Sequence, residues 1–232
     1  MTYNDIGRSA RTLVQVVVLF LVHTSACTAQ RLVSFPTSDG GVVYADEYGS
    51  GDHGLVLAHG GQFTKESWSE QAPALASAGF RTLAIDFRGR GRSGGGSAGE
   101  GAVHLDVLAA TQHLRSSGAQ RISLVGATFG GWAVGRAVTL GPAGDIDDIV
   151  LLAHSPIENP EALPGRKLFI LTRGDVSGRD VLRLPSIQDQ YERAPRPKQL
   201  VIFDGSAHAQ HIFATDQGAR LLREILSFLS GS

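Results

Sequence analysis

The sequence predicts a three-layer α/β/α sandwich on a mostly parallel sheet of eight strands. Two patterns carry that expectation. Short apolar runs recur without period-two alternation, as strands buried on both faces require. Between them lie segments whose apolar residues repeat at helical spacing, the alternation that yields a parallel sheet covered on both sides. Composition agrees: 42% of the 232 residues are hydrophobic and 19% charged, which excludes a disordered chain or a coiled coil. The formal net charge is -1, with no basic block for nucleic acid and no acidic tail. A single Cys excludes a disulfide framework and a Cys-rich metal site. Gly is the outlier at 29 residues and is not periodic, so it marks turns and close backbone approaches.

The elements follow in order. Residues 32–36 and 42–48 are strand-like, and Ser38-Asp39-Gly40-Gly41 between them is a hairpin signal, because Gly accepts positive φ. This hairpin adds antiparallel strands at one edge. Strands are then expected at Gly54–Ala58, Arg81–Ile85, Ile122–Val125, Ile149–Ala153, Leu168–Thr172 and Leu200–Phe203. Trp68, Ala72, Leu75 and Ala76 predict a helix over 66–78, and Val103, Val107, Ala110 and Leu114 another over 102–116. An Ala/Val-rich helix is expected over 129–139, and 220–229 closes as an amphipathic helix with Leu221, Leu222, Ile225 and Leu229 on its apolar face.

The first 29 residues read as an export signal rather than as fold, leaving 30–232 as one domain. Arg8 and Arg11 precede an apolar stretch, Leu13 to Val22, which is too short to span a bilayer as a helix. Small residues follow. Two processing outcomes fit: cleavage after Ala29, or lipidation of Cys27, which would tether the chain to a membrane. Thr24 departs from the Leu usual in a lipobox. The expected location is the periplasm or cell envelope; the competing readings are an uncleaved anchor and a mis-assigned start codon.

In open parallel sheets, sites form beyond the carboxyl ends of strands. There this sequence places His59-Gly60-Gly61-Gln62, then Asp86-Phe87-Arg88-Gly89-Arg90-Gly91-Arg92-Ser93, then Gly126-Ala127-Thr128-Phe129-Gly130-Gly131, then Arg173-Gly174-Asp175, and last Asp204-Gly205-Ser206-Ala207-His208. In this order the motifs resemble the α/β-hydrolase family over nearly all of residues 32–230, small bacterial members of the dienelactone hydrolase and serine aminopeptidase type most of all. The resemblance implies acyl transfer by a nucleophile, an acid and a His in that chain order, here Thr128, Asp175 and His208.

Thr128 departs from the family pattern, which has Ser between the two glycines of the elbow. Gly126 and Gly130 remain, so the turn can form, and Thr still supplies a hydroxyl. Its methyl, however, restricts χ1 and crowds a strained position. Three readings follow: a slower nucleophile, a disabled site on a scaffold kept for binding at the cell envelope, or a natural variant. The intact remainder of the machinery favours a hydrolase of small esters, thioesters or related acyl substrates; haloperoxidase-like or acyltransferase chemistry at the same triad is the variant reading.

His208 is preferred over His211 as the general base, because it directly follows the last strand while His211 falls in the ensuing helix. Asp175 is preferred over Asp180, near a helix start, and over Asp204, too close to His208 along the chain; the plain alternative for Asp175 is a turn role. The oxyanion hole implied by the family takes the backbone N–H of Phe129 and that of Gly61 or Gln62. His59 is read as holding that loop in shape rather than as catalytic. Arg88, Arg90 and Arg92 are read as a solvated Gly-rich loop, with Asp86 and Arg88 stabilising its turn, before any role in binding an acidic substrate. Gly130 and Gly131 let the helix approach the sheet. No metal spacing and no dinucleotide fingerprint occur, so no cofactor is expected. Residues His154 to Lys167, rich in Pro, are too few for a helical cap, which predicts an open, shallow site.

Overall fold

The structure, a computed structural model, describes residues 29–178 and 180–231. The export segment expected at residues 1–29, including Cys27, lies outside the described residues except for Ala29. Eight strands form one sheet: β1 (Arg31–Pro36), β2 (Val42–Tyr48), β3 (His53–Ala58), β4 (Phe80–Ile85), β5 (Arg121–Ala127), β6 (Asp148–Leu152), β7 (Arg166–Thr172) and β8 (Lys198–Phe203). Their order is β1-β2-β4-β3-β5-β6-β7-β8. As expected, β1 and β2 pair antiparallel at one edge, β2 pairs antiparallel with β4, and all other pairs are parallel. Every residue of β3 and β6 is buried, and every residue but the first of β5 and β7. Strands with helices on both faces must be apolar throughout, which is why their sequences do not alternate.

Five helices connect them: α1 (Gln71–Ser77), α2 (His104–Ser116), α3 (Phe129–Leu140), α4 (Leu184–Arg193) and α5 (Gly218–Ser230). The chain steps from β3 outward to β4, then reverses to β5, β6, β7 and β8. Right-handed crossovers in opposite directions put α1 on one face and α2, α3 and α4 on the other. Trp68 packs edge-on against Phe213, with ring centroids 6.0 Å apart, so the segment leading into α5 shares the α1 side. The reversal at β3 opens a crevice at the carboxyl ends of β3 and β5, where a parallel sheet of this kind binds ligands.

Three local features differ from the sequence reading. The helix expected over 66–78 divides into a 3₁₀ turn, Lys65–Trp68, and α1. Helix α4 is additional; Leu184, Ile187 and Tyr191 repeat at helical spacing on its inner face, and Pro185 in its first turn is a start signal. The third is the Arg-rich loop. Arg90 and Arg92 are exposed, but the Arg88 side chain is only 2% exposed and is not solvated. Its guanidinium donates to Asp106 of α2 at 2.8 Å and 3.0 Å and to Asp39 of the β1–β2 hairpin at 2.9 Å and 3.2 Å. Asp86 serves another segment, accepting the Lys65 N–H at 2.8 Å. The Arg88 guanidinium holds the Asp39 carboxyl well below the usual carboxylate range.

Arg88 therefore ties the hairpin, the loop after β4 and α2 to one buried charge. Arg88→Met leaves Asp106, 1% exposed, buried without its cation. The expected loss is about 3–5 kcal/mol in urea unfolding. A loss below about 1 kcal/mol, the scale of an exposed pair, would show that water replaces the guanidinium there.

Candidate active site

A single residue joins β5 to α3. Thr128 stands there at φ 47, ψ -106, a conformation that a β-branched residue adopts only when its surroundings impose it. Three backbone hydrogen bonds do so. Thr128 N–H donates to Leu152 O at 2.8 Å, and Thr128 O accepts from Ser155 at 3.0 Å and from Trp132 at 3.2 Å. Close approach of backbones does the rest. A Cβ on Gly126 would lie 2.5 Å from the Gly131 Cα, and one on Gly130 would lie 2.3 Å from Ala58 O at the end of β3. The elbow glycines thus do what their positions in the sequence require, and Thr128 is lifted, half-buried, into the crevice.

The loops after β7 and β8 are zipped together. Gly174 N–H donates to Gly205 O at 2.8 Å, Arg173 N–H to Phe203 O at 2.8 Å, and Thr172 Oγ1 to Ala207 O at 3.0 Å. This brings Asp175, fully buried, onto His208: the imidazole Nδ1 lies 2.8 Å and 3.0 Å from the two carboxylate oxygens. Nδ1 therefore carries a proton, and Nε2 faces away from the acid. The rival acids stand apart, whereas His211 lines the same cavity as His208 but meets no carboxylate among the described residues. Asp180 and Asp204 are exposed. His211 falls in a 3₁₀ turn, Ala209–Ala214, and packs on Phe63 with centroids 5.3 Å apart.

The loop after β3 forms the facing wall. His59 is buried, with Nδ1 2.7 Å from Gly60 O and Nε2 accepting the Phe87 N–H at 3.4 Å, so it shapes the loop as expected. Gln210 is the residue that sequence reasoning missed. Its Oε1 accepts the Gly60 N–H at 2.8 Å, and its Nε2 donates to Ser67 Oγ at 2.8 Å. The Gly60 N–H is therefore already engaged. No sequence pattern marks Gln210, since its partners are distant in the chain. Gly61 faces the elbow: a Cβ on it would lie 3.5 Å from the Phe129 Cβ. The Phe129 N–H, at the start of α3, is among those that a helix leaves without an internal acceptor.

Thr128, Phe129, Gly61, Gln62 and His208 line one cavity of about 380 Å³, with Asp175 directly behind His208. A larger hollow of about 530 Å³ lies elsewhere, between α2 and the end of α3, and none of the predicted site residues lines it. Among the described residues Thr128 makes no side-chain hydrogen bond; its Cγ2 points toward Gly60, where a Cβ would sit 2.6 Å away. No cap overlies the cavity from the β6–β7 connection, which holds one short 3₁₀ turn, Pro160–Ala162. Instead, a bridge between Val176 and Leu182 folds the loop after Asp175 into a small hairpin beside it.

Two predictions follow from this packing. Gly60→Ala pushes a methyl into that of Thr128 and costs about 1–3 kcal/mol in thermal or urea unfolding. Combined with Thr128→Ser, which removes the opposing methyl, it costs measurably less than the sum of the two single changes; strict additivity would show the contact to be relaxed in solution. The second concerns acid. Burial pushes both His59 and His154 down from 6.5 to about 4. Folded, both stay neutral while the unfolded chain takes up protons below about pH 6.5. Stability is therefore whole above about 6.5 and falls as pH drops from there toward about 4. His154→Gln should flatten that dependence between pH 7 and 5; an unchanged slope would place the acid lability elsewhere.

Comparison with known proteins gives this geometry a lineage. A family model described as "Alpha/beta hydrolase family" matches residues 55–228. A non-heme haloperoxidase of Rhodococcus erythropolis is 33% identical over 135 residues, 55% of this chain and 48% of that protein. A non-heme chloroperoxidase of Streptomyces lividans is 34% identical over 138 residues, 55% of this chain and 49% of that protein. The chain thus spans about half the length of these curated relatives. The solved structure of a Pyrococcus furiosus esterase superimposes with a TM-score of 0.73, covering 92% of this chain and 97% of that one at 19% identity, a likeness of fold. With the strained elbow, the strand order and a family match across most of its length, the chain belongs to the α/β-hydrolase family.

Proposed function

We propose that this chain hydrolyses small esters, thioesters or related acyl compounds through Thr128, His208 and Asp175. The observation that carries the reading is the buried Asp175 holding the Nδ1 side of His208 at 2.8 Å while His208 and Thr128 line the same cavity. Asp175 fixes the tautomer, which leaves Nε2 as the base. As Oγ1 of Thr128 attacks the acyl carbon, its proton passes to Nε2. The C=O π bond breaks and its oxygen takes the electron pair as an oxyanion, stabilised by the N–H groups of Phe129 and Gly61. Gly61 is favoured over Gln62 because it faces Phe129, and Gly60 is spoken for by Gln210. The imidazolium then gives its proton to the leaving alkoxide or thiolate, and the tetrahedral species collapses to an acyl ester on Thr128. Water, deprotonated by Nε2, repeats the sequence, releasing acid and restoring the hydroxyl.

The Oγ1–Nε2 contact must close when substrate binds, as catalytic hydrogen bonds in empty sites often do. The Thr methyl makes that placement narrower than it is for Ser, and an error of about 1 Å costs on the order of 100-fold. Thr128→Ser should therefore raise kcat/KM for short-chain p-nitrophenyl esters, while Thr128→Ala and His208→Ala reduce it to background. A wild-type rate equal to that of Thr128→Ala would instead favour the second reading, a hydrolase scaffold retained for binding at the cell envelope, which the methyl directed at Gly60 supports. With haloperoxidases among the relatives, peroxide in place of water as acyl acceptor is distinguished by product analysis. Export through residues 1–29, with either cleavage after Ala29 or a tether at Cys27, is part of the proposal; a fluorophosphonate adduct mapped to Thr128 on protein recovered from the periplasm or cell envelope tests both parts.

A further inference from the structure

The cavity holding Thr128 and His208 is also lined by an arginine that the hydrolysis scheme leaves unused. Arg183, beside the hairpin that follows Asp175, lines the same wall as Val176 and Gly178. Its side chain is 21% exposed. Its Nε is shut off from solvent and has no hydrogen-bond partner, and among the described residues its guanidinium donates to no acceptor. The nearest anion is Asp175, with Oδ1 3.6 Å from Nε, beyond hydrogen-bond reach and already committed to His208. Among the described residues the rest of the wall runs from Phe63, Phe129 and His211 to the glycines of the loop after β3, and no carboxylate lines it. A guanidinium so placed has five donors and a flat geometry matched to a carboxylate. The ion pair with Asp175 leaves the guanidinium donors without an acceptor, and an anionic ligand would supply one.

We propose that Arg183 sets substrate class: the site takes esters that carry a carboxylate, bound by Arg183 while the ester carbonyl lies at Thr128. This rests on the hydrolase reading above and narrows it to acidic esters, such as half-esters of short dicarboxylic acids. Arg183 also donates its backbone N–H to Asp175 O at 2.9 Å, so its main chain steadies the acid while its side chain faces the substrate. A merely structural Arg183 would act through Asp175 and His208, and its loss would slow all esters alike.

Matched substrates separate the two. Mono-(4-nitrophenyl) glutarate against 4-nitrophenyl pentanoate carries the charge on the acyl side, and 4-acetoxybenzoate against its methyl ester carries it on the alcohol side. For at least one pair kcat/KM should favour the charged member by roughly tenfold or more, mostly through KM, and the preference should shrink with added salt. Arg183→Met should erase the preference, and Arg183→Lys should retain part of it. Equal use of charged and neutral members, or an equal fall on both with Arg183→Met, overturns the proposal and leaves the hydrolase reading standing. If no ester is turned over, calorimetry with glutarate on the full chain decides alone. Binding that Arg183→Met abolishes upholds the anion subsite without the chemistry, and no binding overturns it.

Discussion

The fold depends on how closely the backbone of the β5–α3 turn can approach its neighbours. At Gly126 and Gly130 a single added carbon would fall within 2.6 Å of main-chain atoms, so the strand, the helix and the end of β3 meet with no side chain between them. Only at that separation does Thr128 take its left-handed φ and emerge into the crevice rather than into the core. The strain, of order 1–3 kcal/mol, is offset by the three hydrogen bonds of its own peptide groups. The site is thus a by-product of packing: the chain reverses its stepping direction at β3, and the crevice that results lies where the elbow discharges.

The other half of the candidate site depends on a different device. The loops after β7 and β8 bond to each other before they offer side chains, and Gly174 lies close enough to Gly205 that a Cβ would come 3.0 Å from its carbonyl. This seam turns two residues that are remote in the chain, Asp175 and His208, into a contact pair. Gln210 extends the arrangement across the crevice, linking the turn after His208 to Gly60 and to Ser67. The wall that faces the elbow is therefore held from the His side, and displacement of one would be felt by the other.

Much of this was legible in the sequence because the constraints are local. Buried parallel strands are apolar throughout, the elbow is flanked by glycines, and the acid and His each follow a strand directly. Three features were not legible, each for a physical reason. Helix α4 carries its period on only three core-packed residues, Leu184, Ile187 and Tyr191, set among mostly polar ones. Arg88 sits in a run that reads as solvated loop, yet its cation is claimed by Asp39 and Asp106, which no spacing rule connects to it. Gln210 acts on Gly60 and Ser67, partners that only the fold brings to it. The division falls between what a strand end dictates and what the crevice assembles.

Thr128 draws these strands together. Its backbone is fixed by the glycines and by the peptide bonds around it, independently of what its side chain bears. The side chain must then distribute a hydroxyl and a methyl within a narrow crevice, and the methyl takes the side on which Gly60 leaves room. Gly60 leaves that room because it bears no Cβ, and Gln210, from the His208 turn, holds its N–H. A Thr in this position is for that reason an accommodated part of the site rather than an isolated departure. The methyl fills the Gly60 side of the cavity, and among the described residues that line it Arg183 alone carries a fixed charge.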